Sequence, residues 1–344
     1  MKKRMLFLLM TVLIVTVMIC PNISAVQKAP APFDKPGNVH IVLIRQMVEG
    51  EFMQNLLAGA TKQAAQLGVK MTVFGKNMDN EAQANFVYQA ISMRVSGIML
   101  DHGLTETLQK PAADAIKAGI PVVAFDVDVK NPDIPQIAQD DYLLGKESLQ
   151  SLITTFHGKA NIGYVYVPGI LPLDKRNVAY TDLLKKNAGI KEVARTGTLE
   201  SPFSVKNADQ AKAALIAHPE INAYFAPYDE FAKGVYMAAT ELKRNIKIYS
   251  ADISTQDIEL MRAKNSPWVA TCATNPSTIG AVLVRAICRK IVGEQLPHDI
   301  LIPPTLFTAD MLNKANVKNM DELLKAFPKF DNKSICSAPW IPVK

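Results

Sequence analysis

Two apolar runs in this 344-residue chain end in a carboxylate: Gly97-Ile-Met-Leu-Asp101 and Ala118-Gly-Ile-Pro-Val-Val-Ala-Phe-Asp126, with Ile137-Ala-Gln-Asp-Asp141 soon after. Short continuous apolar runs of this kind read as strands buried on both faces. A polar residue at the carboxyl end of such a strand stands where open α/β sheets bind their ligands. Arg45-Gln46, Gln139, Tyr228-Asp229, Asp252 and Thr274-Asn275 occupy comparable strand ends, with Phe52 and Phe203 among the apolar rings around them. An ionised carboxylate accepts hydrogen bonds from two neighbouring hydroxyls, and amides both donate and accept. Each hydrogen bond to a charged group contributes ~1.5–3 kcal/mol, so a few of them supply the ~8 kcal/mol of micromolar binding. Some of these acids should instead cap helices. Asp140 and Asp229, each just ahead of a helical stretch, are the expected caps, whereas Asp126 and Asp252 are expected to touch ligand.

Catalytic patterns are missing from the sequence. It has no Gly-x-Ser-x-Gly, no His-Glu-x-x-His, no Gly-Lys-Ser/Thr phosphate loop and no Gly-x-Gly-x-x-Gly after the first strand. The last absence removes the dinucleotide-binding reading of a parallel sheet. His40, His102, His157, His218 and His298 never fall at metal-ligand spacing, and only His102, next to Asp101, lies beside the expected cleft. No catalytic residue, metal or cofactor is therefore expected. Cys272 and Cys288 lie in apolar patterns and read as core residues, while a bond from Cys336 to either stays open.

The elements that must position these groups alternate. Residues 39–44 read as a strand, 52–67 as a helix stopped by Gly68, 69–74 as a strand and 80–95 as a helix. A strand at 98–100, a helix at 106–118 and a strand at 121–125 complete a βαβαβαβ order, which implies a parallel sheet with helices on both faces. The alternation restarts at Tyr142 and runs to a long helix over 276–292 opened by Pro276. Two similar halves suggest two lobes with a cleft between them. Met320 to Phe327 reads as a short amphipathic helix, and Trp340 is expected to pack on a lobe surface.

Apolar residues make up 49% of the chain and charged ones 20%, enough for packed cores and too little for extended disorder. Lys2, Lys3 and Arg4 precede an apolar stretch from Met5 to Cys20 and the small residues of Asn22-Ile-Ser-Ala25. This is the pattern of a signal peptide cleaved after Ala25, so domain 1–25 is a leader and the protein is expected to be secreted. A membrane anchor would need ~20 apolar residues, and Val17-Met-Ile ahead of Cys20 lacks the small residues of a lipoprotein site. Of 38 basic and 32 acidic residues, removing those three leaves 35 against 32, a net charge of +3. No basic stripe forms, so nucleic acid is excluded as a partner.

Taken in order, Leu57-Ala-Gly-Ala-Thr-Lys-Gln-Ala-Ala-Gln-Leu-Gly68, Val95-Ser-Gly-Ile-Met-Leu with the run to Asp126, Ala217-His-Pro-Glu-Ile-Asn-Ala-Tyr-Phe-Ala-Pro-Tyr-Asp229, and Thr271 to Gly280 resemble the periplasmic sugar-binding proteins of ABC transporters, of the type I ribose/galactose-binding kind. The resemblance implies two Rossmann-like lobes joined by a three-segment hinge near 141–144, 273–276 and 302–305. The N-terminal lobe would comprise 38–142 plus 275–302 and the C-terminal lobe 143–274 plus 303–320, with 321–344 as an extension. It also implies closure of the lobes on a ligand, a hinge motion in which the closed state binds better, and docking of the closed monomer on a membrane permease. Carried over by position, the site would hold Phe52, Met53, Asp126, Gln139, Asp141, Phe203, Tyr228, Asp252 and Thr274, with Arg176 a structural arginine.

The departures point to a less cationic, more acidic pocket than the common pentose and hexose sites. Val127 stands where an arginine commonly follows the aspartate, Asp141 and Tyr228 where asparagines are usual, and Ala251 where an aromatic often precedes Asp252. Such a pocket points away from ribose, galactose and glucose toward a polyol, a deoxy or furanose sugar, an amino sugar or an autoinducer-2-like furanosyl compound, with Gln46 and Arg45 early enough in the first loop to serve it. The expected function is a secreted solute receptor that delivers a small polyhydroxylated ligand to a permease. The alternatives are a sensor-type binding protein that presents its ligand to a chemoreceptor or kinase, the effector domain of a repressor, which the leader opposes, and a secreted carbohydrate-active enzyme using paired carboxylates.

Overall fold

The computed structural model describes residues 28–343, and the expected leader over 1–25 lies outside the described residues. Strand β1 (His40–Arg45) is buried from its second residue on, as a β-branched run with helices on both sides must be. There follow α1 (Glu51–Gln66), β2 (Lys70–Gly75), α2 (Asn80–Ser92), β3 (Gly97–Asp101), α3 (Thr105–Lys117), β4 (Val122–Phe125) and β5 (Gln136–Gln139). The second series is α4 (Asp141–Thr155), β6 (Ala160–Val165), α5 (Leu171–Lys186), β7 (Ile190–Thr196), α6 (Phe203–Ala217), β8 (Ala223–Ala226), α7 (Asp229–Glu241), β9 (Lys247–Ala251), α8 (Thr255–Arg262) and β10 (Trp268–Ala273). Last come α9 (Pro276–Ile291), β11 (Asp299–Ile302), β12 (Thr305–Thr308), α10 (Ala309–Lys314) and α11 (Met320–Ala326).

The strands form two six-stranded sheets, ordered β11-β5-β4-β3-β1-β2 and β12-β10-β9-β8-β6-β7. All neighbours are parallel except β12, which runs antiparallel to β10 at the sheet edge. The fold is thus α/β with two Rossmann-like lobes. The chain passes from one sheet to the other three times: after β5, after β10, and between β11 and β12. Helix α4 packs on β9 and β10, and α9 packs on α1, β3 and β4.

Helix starts follow the local chemistry. Asp79 caps α2 through the Ala82 N–H (2.8 Å) and Asp140 caps α4 through that of Leu143 (3.0 Å), as the sequence suggested. Asp229, the other expected cap, is the first residue inside α7 and is fully buried. The closest packing is α1 against α9. A β-carbon at Gly280 would stand 2.0 Å from the Leu56 carbonyl oxygen, and one at Gly59 would stand 1.9 Å from that of Ser277. Only glycine lets these backbones meet. Three strands, β5, β11 and β12, were not assigned from sequence. Each has four residues, too few to show a period, and β11 alternates exposed and buried as an edge strand does. Cys272, Cys288 and Cys336 carry free thiols. Trp340 packs on the first lobe, 5.0 Å from the Phe33 ring, and its indole N–H reaches Glu294 at 3.2 Å.

Candidate functional site

The carboxyl ends of the two sheets face each other across a small cavity. From the first lobe, the β1–α1 loop and the start of α1 supply Met47, Phe52 and Met53, the end of β3 supplies His102, and the end of β5 supplies Gln139. The second lobe supplies Ile170, Pro172, Leu173 and Arg176 around the start of α5, then Leu199, Tyr228 and Asp252 from three further strand–helix junctions. The backbone is bent at these ends. His102, Asp126 and Asp252 adopt φ of 58°, 52° and 72°, left-handed conformations that cost non-glycine residues of order 1–3 kcal/mol and cluster at functional sites.

Of the ten residues expected at the site, Phe52, Met53, Gln139, Tyr228 and Asp252 line the cavity. Of the other five, four stand behind the lining, and Asp126 stands beside His102 at its edge. Gln46 donates its amide to Asn80 Oδ1 at 2.5 Å. Phe203 is fully buried with its ring 6.5 Å from that of Tyr228. Thr274 lies 2.5 Å from the Gln139 amide, and Asp141 accepts from Arg176 Nε at 2.9 Å. Asp126 sits next to His102, its Oδ2 3.8 Å from Nε2. Both Asp126 oxygens are buried without a hydrogen-bond partner, as is the Tyr228 hydroxyl.

Arg176 organises the second lobe's polar wall. It donates to Asp141, to the Pro227 carbonyl (2.7 Å), and through both terminal nitrogens to Asp252 (2.8 and 3.3 Å). Burial works against its charge, but Asp252 and Asp141 outweigh burial and raise its pKa. The same network sets the Gln139 amide: its nitrogen faces Thr274 Oγ1 (2.5 Å) and Asp252 Oδ1 (3.2 Å), and its oxygen accepts from Arg176 Nη2 (3.0 Å). Arg176, read from sequence as structural, both holds this network and lines the cavity.

On the first lobe, Arg45 Nε donates to Asp101 Oδ2 (2.9 Å), and Asp101 Oδ1 lies 2.7 Å from His102 Nδ1. Burial resists the charge on Asp101, but the hydrogen bond and charge of His102, with Arg45, hold its carboxyl below the ordinary range. Asp126 behaves oppositely. Burial and then the neighbouring Asp141 push it up to about 8, against the lowering influence of His102, Arg176 and Lys175.

Two acids bind the lobes together. Glu49 Oε1 accepts from the Phe203 N–H at the start of α6 (2.6 Å) and Oε2 from the Ser201 hydroxyl (2.6 Å). Glu51 accepts from the Thr255 and Gln256 N–H groups at the start of α8 (3.0 Å each). Gly50, at φ 92°, turns the chain between them.

Met47, Ile170, Pro172, Leu173 and Leu199 were not singled out from sequence. Ile170, Pro172 and Leu173 sit at the start of α5, ahead of the run that shows helical spacing. A proline just ahead of that run was the available signal.

Facing strand ends around one enclosed, charge-paired cavity, with the chain crossing three times between the sheets, define a two-lobed solute receptor. Residues 41–295 match the periplasmic binding protein domain family, and the chain belongs to it. It is 23% identical over 296 residues to the ribose import binding protein RbsB of Bacillus subtilis (strain 168), covering 83% of this chain and 94% of that one. Its fold matches the 5-methylthioribose transporter solute-binding protein of Thermotoga lettingae TMO, a structure in complex with 5-methylthioribose, with TM-score 0.87 and 37% identity over 89% of this chain and 98% of that one. A sugar ABC transporter structure from Yersinia enterocolitica subsp. enterocolitica 8081 matches with TM-score 0.87 and 34% identity over 91% and 97%. The chain is a solute-binding protein of the ABC-transporter class, a binding protein and not an enzyme.

Proposed function

We propose that this protein is exported to the periplasm by the leader over residues 1–25 and captures a sugar derivative with an apolar substituent, of the 5-methylthioribose type, for an ABC transporter permease. The carrying observation is the division of the cavity wall. His102, Gln139, Arg176, Tyr228 and Asp252 provide polar groups, while Met47, Phe52, Met53, Ile170, Pro172, Leu173 and Leu199 are apolar. A bare pentose has hydroxyls on every side and would leave some of them facing carbon, where an unpaired polar group is costly. A ring with hydroxyls on one side and a methylthio group on the other suits both. In this reading Asp126 accepts from ring hydroxyls, Asp252 and Gln139 contact the polar edge, and Phe52, Met53 and Tyr228 pack on the ring. Asp141, Phe203, Thr274 and Gln46 hold those groups in place.

Calorimetric titration of the mature chain with 5-methylthioribose and ribose tests the reading. Burying the methylthio group is worth about 1.5 kcal/mol at ~0.8 kcal/mol per buried carbon-sized group, so 5-methylthioribose should bind about tenfold tighter. Equal or tighter binding of ribose would refute it.

A further inference from the structure

We propose that His102 is a ligand-contacting residue that works with Asp126 as a proton-dependent anchor, so that capture of the sugar depends on the charge of the imidazole. The proposal rests on the sugar-receptor reading above.

The geometry is specific. His102 lines the cavity and its ring is held from two sides. Nδ1 bonds Asp101, which is itself fixed by Arg45, and the ring packs edge-on against Phe125 with centroids 5.3 Å apart. Its backbone is tied by the Gln83 amide to its carbonyl (2.9 Å). A carboxylate at Nδ1 places a proton on that nitrogen, so the nitrogen free to meet a ligand is Nε2, which stands 3.8 Å from Asp126. That distance is too long for a direct hydrogen bond. Asp126, with both oxygens buried and unpartnered, must find its partners elsewhere. A ligand hydroxyl beside the pair can donate to Asp126 and accept from protonated His102.

The charges around the pair give the anchor its proton dependence. Facing His102 are Asp101 on its own strand, Asp126 after β4 and Asp141 at the start of α4; Arg45 stands beyond Asp101. Facing Asp126 are His102, Asp141, Arg176 and Lys175. Burial opposes the imidazolium, but the hydrogen bond and charge of Asp101, with Asp126 and Asp141, raise its pKa above the ordinary value. Protonated His102 in turn favours ionised Asp126, the form that accepts from hydroxyls.

The sign follows. Without the imidazolium, Asp126 holds its proton to higher pH, so His102→Gln should lose affinity chiefly on the acid side. We expect the variant's dissociation constant for 5-methylthioribose to rise about tenfold at about pH 6, the effect of one unit in the carboxyl's pKa, and to change little at about pH 10, where Asp126, pushed up to about 8, is ionised with or without the imidazolium. Calorimetric titration at both values reads this. A loss of equal size at both, or no loss, would overturn the proposal and leave the receptor reading standing. Wild-type protein that binds no sugar at any pH would overturn both. Should the variant melt far below the wild type, imidazole resonances of the wild type decide instead. The titration midpoint of His102 should move up when ligand holds Asp126 ionised, and an unmoved midpoint contradicts the proposal.

Discussion

Replacing Glu51 with alanine should weaken ligand capture without weakening either lobe. The carboxylate belongs to the first lobe and accepts from the Thr255 and Gln256 N–H groups of the second, so its contacts exist only when the lobes are closed. Losing a carboxylate from a helix N-terminus costs about 1 kcal/mol, and hydrogen bonds to a charged group reach ~1.5–3 kcal/mol. Glu51 is only half buried, and solvent screening reduces such contributions, which leaves about 1–2 kcal/mol on the closed state alone. Because the closed state binds ligand, the dissociation constant should rise about tenfold. Adding Glu49→Ala, which frees the start of α6, should compound the loss nearly additively because the two acids engage different helices. Titration calorimetry measures affinity, and small-angle scattering measures closure with ligand present. Unliganded melting should barely move. An unchanged affinity, or an equal loss of unliganded stability, would refute the latch.

Arg176→Met should destabilise the protein by about 3–5 kcal/mol in urea unfolding, because it leaves Asp141 and Asp252 buried and unpaired; a smaller change than about 1 kcal/mol would mean those acids are not held as charged partners. Gly280→Ala should cost about 1–3 kcal/mol by the same measure, since its β-carbon meets the Leu56 carbonyl at 2.0 Å. Asp101 titrates below its ordinary value of 3.8 in the folded protein, so the unfolded chain takes up the proton first. Its stabilising contribution is complete above about pH 4 and lost as pH falls through the lower folded value. Asp101→Asn should therefore flatten the dependence of stability on pH at the acid end, measured by urea midpoints across that range.

The lobes were legible because their inner strands carry the pattern. β3 and β4 are continuous apolar runs closed by Asp101 and Asp126, and the helices between them stop at glycines. Asp252 was marked only by its place after β9, where Lys247 and Ser250 interrupt the apolar run. What stayed hidden depends on partners distant in sequence. Nothing near Arg176 shows that it will grip Asp141, 35 residues away, and Asp252, 76 residues away. Glu49 and Glu51 read as ordinary loop charges until the lobes meet, with partners 154 and 204 residues distant. The apolar end of the cavity, from Ile170 to Leu173, belongs to the first turn of a helix whose face toward the cleft has no period of its own. His102 stood out only by its place after Asp101.

A crystal structure of the mature protein with 5-methylthioribose tests the central claim most directly. The account predicts one molecule between the two sheets, hydroxyls toward Asp126, His102, Gln139 and Asp252 and the methylthio group against Met47, Leu173 and Leu199. A ligand bound outside this cavity, or one whose methylthio group points at the carboxylates, would contradict it.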